Sequence, residues 1–374
     1  MRLHIVPDEK VINRSIELFE EVFPDENTFI VLVCKGLRSP KYVKKDFGNV
    51  LFLEYDTKLF WNAVGDINRY QSIIIHFLSG DSVNFLNRIK HHNIYWIAWG
   101  ADLYSGLLEE RGYKLYESVD ILWRISKWKI PYFIYKLVYK IRRKINTDRM
   151  LTGARKVHYF VPDSMYDEYP LLLSYYPELA HLEYRDFFYY PIDDILGEDL
   201  INTTSIGRSV IIGNSSSPTG NHLSVISYLR NFSLGDKDII VPLSYGNKSY
   251  AALVEQEGMY AFGKNFKVVK NFLLLDDYNQ LLLSANIFIY GNWRQEAVGN
   301  ILIALYLGGK VFLDKRNPLL NFYKSLGLTL FDIEELSDEH LNSKLSSETI
   351  NDNRKILKQF YSKERLISLI RENF

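Results

Sequence analysis

The sequence predicts an α/β protein built from two doubly wound domains with parallel sheets, and three observations support this. Short apolar, β-branched runs alternate with helix-length segments, as in successive βαβ units. Runs such as SIIIHFL are continuously apolar, which is typical of strands covered on both faces. The alternation restarts after residue 205, so the 374 residues divide into two domains.

The first half contains five strand-like runs separated by helix-period segments. The predicted strands are Leu3–Pro7, Phe29–Cys34, Val50–Tyr55, Ser72–Leu78 and Ile94–Trp99. The predicted helices between them are Glu9–Val22, Leu59–Tyr70 and Ser82–His91. Ligands of such open sheets bind beyond the carboxyl ends of the strands, so the loops that follow these runs are candidate site segments.

The second half repeats this pattern. Its predicted strands are Ser209–Gly213, Asp238–Leu243, Lys267–Leu273, Ile287–Tyr290 and Lys310–Leu313. Its predicted helices are Asn221–Phe232, Lys248–Glu257, Asp276–Ala285 and Gln295–Leu307, the last stopped by Gly308-Gly309. Residues 191–208 are polar and lack a clear period, which predicts a linker there. We therefore expect domains at 1–195 and 206–350, followed by a C-terminal helix at 351–374, with the ligand site in a cleft between the domains.

The composition excludes several classes of protein. Forty-five Lys and Arg balance forty-five Asp and Glu, so no overall basic field indicates a nucleic-acid partner. The single cysteine, Cys34, excludes a disulfide scaffold, and no HExxH or Cys/His cluster predicts a metal site. The start of the chain lacks the apolar core of a signal peptide, and no run is long and apolar enough to span a bilayer.

The most informative loop is VIIGNSSSPTGNH, at Val210–His222. Small residues let main-chain N–H groups approach an anion, hydroxyls add donors, and a helix N-terminus favours negative charge, so a diphosphate suits this segment. The candidate binding residues are Gly213, Asn214, Ser215, Ser216 and Thr219. An ordinary turn with a Ser or Asn helix cap is the alternative.

Two further strand-end loops carry polar groups. In IYGNWRQEAVGN, Arg294 is suited to neutralise a phosphate, Glu296 to accept from ribose hydroxyls, and Trp293 to offer a stacking face. In VPLSYGN, Tyr245 follows the second strand of this domain. Because all three loops follow parallel strands, we expect them to converge into one nucleotide site. A surface Arg–Glu pair on a first helical turn is the alternative reading of Arg294 and Glu296.

Two ionisable residues lie near strand ends in the first half. Asp102 follows Gly100 at the end of a buried strand, where an α/β fold places a general base. His76 lies within an apolar strand. Asp102 as a helix cap and His76 as a core residue are the alternatives.

Residues 124–149 carry nine Lys or Arg and one acidic residue, with interspersed aromatic side chains. In a helix, an apolar arc lies opposite a cationic face that includes Lys136, Lys140, Arg143 and the adjacent Lys144. This predicts a helix lying on an anionic membrane surface. The alternative is an amphipathic helix that packs on the sheet.

Several strings, in order, resemble glycosyltransferase family 56, the TDP-N-acetylfucosamine:lipid II N-acetylfucosaminyltransferase family. They are WIAWGADLY, IIGNSSSPTGNH, VPLSYGN and YGNWRQEAVGNILIALYLGGKVFLDKRNP. The resemblance implies a GT-B fold, in which two Rossmann-like domains face a cleft and a C-terminal helix crosses back to the first. It also implies a donor site mainly in the second domain and an acceptor site mainly in the first.

The implied reaction transfers 4-acetamido-4,6-dideoxygalactose from a dTDP-sugar to a polyprenyl-diphosphate-linked saccharide, without a metal cofactor. The implied location is the cytoplasmic face of the inner membrane, as a peripheral protein. Arg294 and Gln295 match the family's arginine–glutamine pair, and Asp102 and His76 match its aspartate string and strand histidine. Glu296-Ala297 depart from a more Gln/Gly-rich pattern.

Two other functions fit the same features. One is a transferase of this fold that uses a GDP- or UDP-hexose. The other is a non-catalytic protein that binds nucleotides or glycans at a membrane surface.

Overall fold

The protein is described by a computed structural model that covers residues 1–34, 40–44, 47–117, 132–163, 167–203 and 207–374, without the side chains of residues 132, 133, 135, 136 and 199. These residues form two units. The first comprises Met1–Tyr113, Tyr139–Pro191 and Lys363–Phe374. The second comprises Lys114–Val138 and Ile192–Ser362.

The first unit contains a parallel sheet of seven strands in the order β3-β2-β1-β4-β5-β6-β7. The strands are β1 Arg2–Pro7, β2 Asn27–Leu32, β3 Val50–Leu53, β4 Ser72–His76, β5 Ile94–Ala98, β6 Tyr159–Pro162 and β7 Glu183–Tyr184. The five predicted strands are present, and β4 and β5 are buried along their whole length, as continuous apolar runs require. The order reverses between β1 and β4, which marks the carboxyl ends of these two strands as a place for ligands.

Helices connect these strands. They are α1 Lys10–Val22, α2 Lys58–Val64, α3 Gly80–Arg88, α4 Tyr132–Ala154 and α5 Glu168–Tyr175, with one π-helical turn at Ala101–Ser105. α4 covers the predicted basic helix from residue 132 onward, and residues 124–131 lie outside the described part of the chain.

The second unit contains a parallel sheet of six strands in the order β10-β9-β8-β11-β12-β13. The strands are β8 Ser209–Ile212, β9 Ile239–Pro242, β10 Phe266–Val269, β11 Ala285–Tyr290, β12 Lys310–Leu313 and β13 Phe331–Asp332. The helices are α6 Ile192–Leu200, α7 His222–Leu229, α8 Lys248–Phe262, α9 Leu275–Leu283, α10 Val298–Tyr306, α11 Pro318–Ser325, α12 Asp338–Asn342 and α13 Ser347–Phe360. Here the order reverses between β8 and β11, so their loops are the expected ligand position.

The segment predicted as a linker contains helix α6 instead of an irregular chain. Ile192 and Leu196 are buried four residues apart, so they lie on one face of the first part of this helix. Gly197, with φ +64°, then kinks the helix before Leu200, which is also buried. The polar residues of the segment and this interruption leave no clear apolar period in the sequence.

The predicted C-terminal helix is two helices. α13 belongs to the second unit, and α14, Lys363–Asn373, belongs to the first. The break falls at Tyr361, which is 2% exposed and whose carbonyl oxygen accepts a hydrogen bond of 2.8 Å from the main-chain N–H of Ile192. The expected return of the C-terminal helix to the first unit is confirmed.

Candidate active site

The loop after β8 is shaped by glycine. Gly213 has φ +65°, a conformation that side-chain-bearing residues rarely adopt. A Cβ atom at Gly213 would lie 2.5 Å from Nε2 of His222, and one at Gly220 would lie 2.4 Å from Cε1 of the same ring. The imidazole therefore packs against the main chain of both glycines. Larger residues at either position would displace it.

His222, the first residue of α7, is a neutral buried group. It is 1% exposed, and burial lowers its pKa to about 4. Within the described part of the chain, neither of its ring nitrogens has a hydrogen-bond partner. Its ring fills the space that the two glycines leave. The sequence analysis missed this residue, and the only available signal was the pair of glycines before it.

The loops after β8 and β9 are hydrogen-bonded to each other. The carbonyl oxygen of Tyr245 accepts from the main-chain N–H of Ser216 at 2.8 Å and from its hydroxyl at 2.7 Å. The Tyr245 hydroxyl accepts from Nδ2 of Asn214 at 3.0 Å. Gly246, with φ +109°, lets the second loop come this close, because a Cβ atom there would lie 2.8 Å from the Ser216 hydroxyl.

The loops after β8 and β11 meet at the carboxylate of Glu296. Its Oε2 accepts from the hydroxyl of Thr219 at 2.6 Å, from Nδ2 of Asn292 at 2.9 Å and from Nη2 of Arg294 at 3.0 Å. The side chains of Arg294 and Glu296 are only 13% and 15% exposed. This carboxylate therefore gathers a hydroxyl, an amide and a guanidinium donor from the two loops at one point.

Two residues that donate to this carboxylate each bury a second polar atom without a partner among the described residues. These atoms are Nε of Arg294 and Oδ1 of Asn292. Buried polar groups are hydrogen-bonded in the great majority of cases, so such a group of atoms is typical of a site that receives a polar ligand. Asn292, fully buried, was missed by the sequence analysis because its role depends on contacts with the neighbouring loop.

Asn221 connects the loops after β8 and β11 at a second point. It adopts a left-handed conformation (φ +48°), is 1% exposed and donates from Nδ2 to the Gly291 carbonyl oxygen at 2.8 Å. Its Oδ1 accepts from the main-chain N–H of Glu117 at 3.0 Å. The predicted loops therefore form one hydrogen-bonded edge across β9, β8 and β11.

Three sequence predictions here need qualification. Gln295 is 6% exposed and so belongs to the buried part of the loop. Ala297 has φ +64°, which glycine adopts more readily, and it lies in the pair Glu296-Ala297, where the resemblance implies a more Gln/Gly-rich stretch. The expected stacking face of Trp293 is covered, because the Arg316 guanidinium lies 3.5 Å from its ring centroid and the residue is 4% exposed.

In the first unit, the carboxylate of Asp102 accepts hydrogen bonds from residues of β5 and of the loops that follow β4 and β5. It is 2% exposed, and its Oδ2 accepts from the N–H of Leu78 at 2.9 Å and from Nε1 of Trp96 at 2.7 Å. Its Oδ1 accepts from the main-chain N–H of Trp99 at 2.8 Å and of Leu103 at 3.1 Å. This geometry favours a role in fixing the two strand-end loops over the expected role as general base.

His76 lies in a buried chain of hydrogen bonds. Its Nδ1 is 2.9 Å from the Tyr189 hydroxyl, and its Nε2 is 3.2 Å from Nδ1 of His4. Nε2 of His4 is 3.3 Å from Oδ1 of Asn27, and Nε1 of Trp99 donates to the Tyr189 oxygen at 2.5 Å. Burial lowers the pKa of His76 to about 3.

The proton order along this chain follows from its two ends. Oδ1 of Asn27 must accept, because its Nδ2 donates to main-chain carbonyl oxygens. Neutral His4 therefore donates from Nε2 and accepts at Nδ1, His76 donates from Nε2 and accepts at Nδ1, and Tyr189 donates to His76. The basic nitrogen of His76 is thus occupied, which favours a structural role for His76 over the expected catalytic one.

The cationic face predicted on α4 is described only in part. Lys140 and Lys144 are exposed, and Lys144 pairs with Asp148 at 3.2 Å. Arg143 instead pairs through Nε with Glu110 at 2.7 Å and is partly buried. The side chain of Lys136 lies outside the described residues.

Two absences concern only the described residues. They contain no group of three or more His, Cys, Asp or Glu side chains placed to hold a metal ion. Among their helices, none combines the length and the apolar character needed to cross a bilayer.

Comparison with known proteins gives a family match. Residues 172–365, just over half of the chain, match the 4-alpha-L-fucosyltransferase family, glycosyl transferase group 56. This stretch contains all three loops of the second unit described above.

Solved structures share the fold over the whole chain. Sucrose-phosphate synthase from Thermosynechococcus elongatus is 11% identical, with a TM-score of 0.61 over 100% of this chain and 98% of that one. HepE from Anabaena, solved in complex with UDP, is 12% identical, with a TM-score of 0.60 over 100% and 98%. WaaG, a glycosyltransferase involved in lipopolysaccharide biosynthesis, is 10% identical, with a TM-score of 0.56 over 100% and 98%. These likenesses confirm the predicted GT-B fold.

Proposed function

Because the chain belongs to glycosyltransferase family 56 and is a nucleotide-sugar glycosyltransferase, we propose that it transfers a 4-acetamido-4,6-dideoxyhexose from a dTDP-sugar to a polyprenyl-diphosphate-linked saccharide. The family match and the GT-B neighbours support the reaction type. The donor nucleotide, the sugar and the acceptor are the parts that we propose.

One observation carries the donor site. The hydroxyl-rich loop Gly213–Thr219 and the cationic Arg294 meet at the carboxyl ends of β8 and β11, where the strand order reverses. The loop leads into the N-terminus of α7, where the helix dipole favours a phosphate. We place the donor diphosphate there.

In this proposal the chain's own groups stabilise the leaving nucleotide. The bond from the anomeric carbon to the phosphate oxygen breaks as the oxygen of the acceptor hydroxyl bonds to that carbon and the hydroxyl proton passes to solvent, so negative charge builds on the leaving diphosphate. Preorganised donors such as Arg294 and the loop hydroxyls then act most strongly in the transition state. We expect the transfer to need no metal cofactor, and added EDTA should leave the rate unchanged.

The donor claim is tested by a thermal-shift panel with dTDP, UDP and GDP. We expect dTDP to raise the melting temperature most, since a ligand that binds only the folded state stabilises it by mass action. A larger shift with UDP or GDP would support the alternative transferase. Nucleotide binding without any donor hydrolysis or transfer would support the non-catalytic alternative.

We also propose that α4 holds the protein on the cytoplasmic face of the inner membrane as a peripheral protein. Apolar side chains of this helix are exposed: Ile134 by 37%, Leu137 by 53%, Val138 by 40%, Ile141 by 51% and Ile145 by 64%. Exposed cations lie on the same helix at Lys140 and Lys144. Exposed apolar and cationic residues on one helix suit the interface of an anionic bilayer, where a lipid-linked acceptor resides.

A further inference from the structure

The first unit carries a pair of aromatic side chains at the carboxyl ends of its two central strands. Phe77 follows β4 and Trp99 follows β5, and both are partly exposed in a sheet whose neighbouring residues are buried. Their ring centroids are 5.6 Å apart, at an interplanar angle of 47°. They lie beside the reversal of strand order, where this fold binds ligands.

The backbone at Phe77 is strained. Its φ is +70°, a conformation that is an outlier for a bulky residue, and its main-chain N–H is held by the carbonyl oxygen of Ile97 at 3.0 Å. Residues kept in such conformations cluster at binding and active sites, where the surrounding structure holds them in place. The strain indicates that this ring is placed for a ligand.

Hydrogen bonds also hold the backbone next to Phe77 and both the backbone and the ring of Trp99. One carboxylate, that of Asp102, accepts from the N–H groups of Leu78 and Trp99, so it ties the two loops together. The Trp99 ring donates from Nε1 to Tyr189, which is anchored in turn by His76. The two residues first expected to be catalytic therefore hold an aromatic surface rigid.

We infer that Phe77 and Trp99 form a platform for the apolar face of a pyranose ring, the terminal sugar of the acceptor. The C–H groups on one face of a pyranose are apolar and weakly positive, which complements the negative face of an aromatic ring. This inference rests on the proposed function, since it concerns the acceptor side of the same reaction.

The test is a titration with N,N′-diacetylchitobiose, followed by saturation-transfer NMR, with and without saturating dTDP. We expect the wild-type protein to bind the disaccharide, and Trp99→Ala and Phe77→Ala each to weaken binding roughly tenfold or more, as loss of a central aromatic contact does. Trp99→Phe keeps a ring and should stay within about threefold of wild type. Trp61→Ala is the matched control, since Trp61 is another partly buried tryptophan of this unit with aromatic neighbours.

A second variant separates the ring from the strain. Phe77→Gly relieves the positive φ, so it should melt at a higher temperature than Phe77→Ala while binding the disaccharide equally poorly. Wild-type affinity in Trp99→Ala, or no saturation transfer to the disaccharide in the wild-type protein, would overturn the inference. A wild-type protein that binds the disaccharide but not dTDP would contradict the proposed donor and leave the platform standing.

Discussion

Replacing Glu296 with glutamine is expected to tighten the binding of dTDP. Oε2 of Glu296 takes the hydroxyl of Thr219 and the guanidinium of Arg294 as donors, at 2.6 and 3.0 Å. A phosphate that uses the same donors must displace this carboxylate or lie beside it. Glutamine keeps an acceptor oxygen for these donors and removes the charge.

The magnitude follows from the geometry. A phosphate sharing both donors would lie about 5 Å from the carboxylate, and two like charges at that distance repel by about 3 kcal/mol at an effective dielectric constant of about 20. Partial exposure and salt reduce this repulsion to about 1–2 kcal/mol, or roughly tenfold in Kd. Arg294→Ala should act in the opposite direction, by about 1.5–3 kcal/mol, because it removes charge-assisted bonds.

Isothermal titration calorimetry with dTDP at low and high salt measures both effects. The gain in Glu296→Gln should shrink as salt rises, while Arg208→Ala should match wild type, because Arg208 is 75% exposed and precedes β8 at its amino end. The double variant Arg294→Ala/Glu296→Gln should depart from the sum of the single changes, because the two side chains are in contact. Weaker or unchanged dTDP binding by a normally folded Glu296→Gln protein would refute the reasoning and favour a role in holding ribose hydroxyls.

Three other predictions concern single features of the fold. Asp102→Asn should lower the free energy of unfolding by about 2–4 kcal/mol in urea titrations, because an amide group replaces an oxygen that accepts two buried hydrogen bonds. Normal stability of this variant together with lost turnover would instead support Asp102 as the general base. The stability contribution of neutral His222 is present above pH 6.5 and lost as the pH falls toward its folded pKa of about 4, because only the unfolded chain then binds the proton. Thermal melts at decreasing pH should therefore show that the wild-type protein loses up to roughly 3 kcal/mol of unfolding free energy, whereas His222→Gln does not show this loss. An equal dependence of stability on pH in both proteins would contradict this. The double variant Ile141→Ser/Ile145→Ser should sediment less with anionic vesicles than the wild-type protein does, because both side chains are more than half exposed. Undiminished sedimentation would contradict the proposed membrane contact of α4.

The long buried strands were predictable because the residues of each strand are themselves apolar enough to indicate its burial. β4 and β11 contain the uninterrupted apolar runs Ile73–Ile75 and Ile287–Tyr290, as expected of strands that are covered on both faces. β7 and β13 have only two residues each, too few to show a period. Their positions depend on pairing with β6 and β12, which the local sequence does not encode.

The donor loops were predictable for a similar reason. Gly213 and Arg294 follow recognisable strands, so a rule about strand ends located both. The same rule selected Asp102, but its four donors come from residues spread between 78 and 103, and only the folded chain shows that its oxygens are occupied. Local sequence identifies a strand-end residue, whereas its chemistry depends on neighbours brought by other elements.

The place of α14 in the first unit has a consequence for biosynthesis. Phe374 packs edge-on against Phe19 at 5.2 Å between centroids, and its carbonyl oxygen accepts from Nε of Arg2 at 3.0 Å. The core of the first unit therefore needs residues that the ribosome makes after the whole of the second unit. The unit that begins the chain is therefore completed only after residues 363–374 emerge from the ribosome. A premature stop codon within residues 363–374 would therefore remove core residues of the first unit and none of the second.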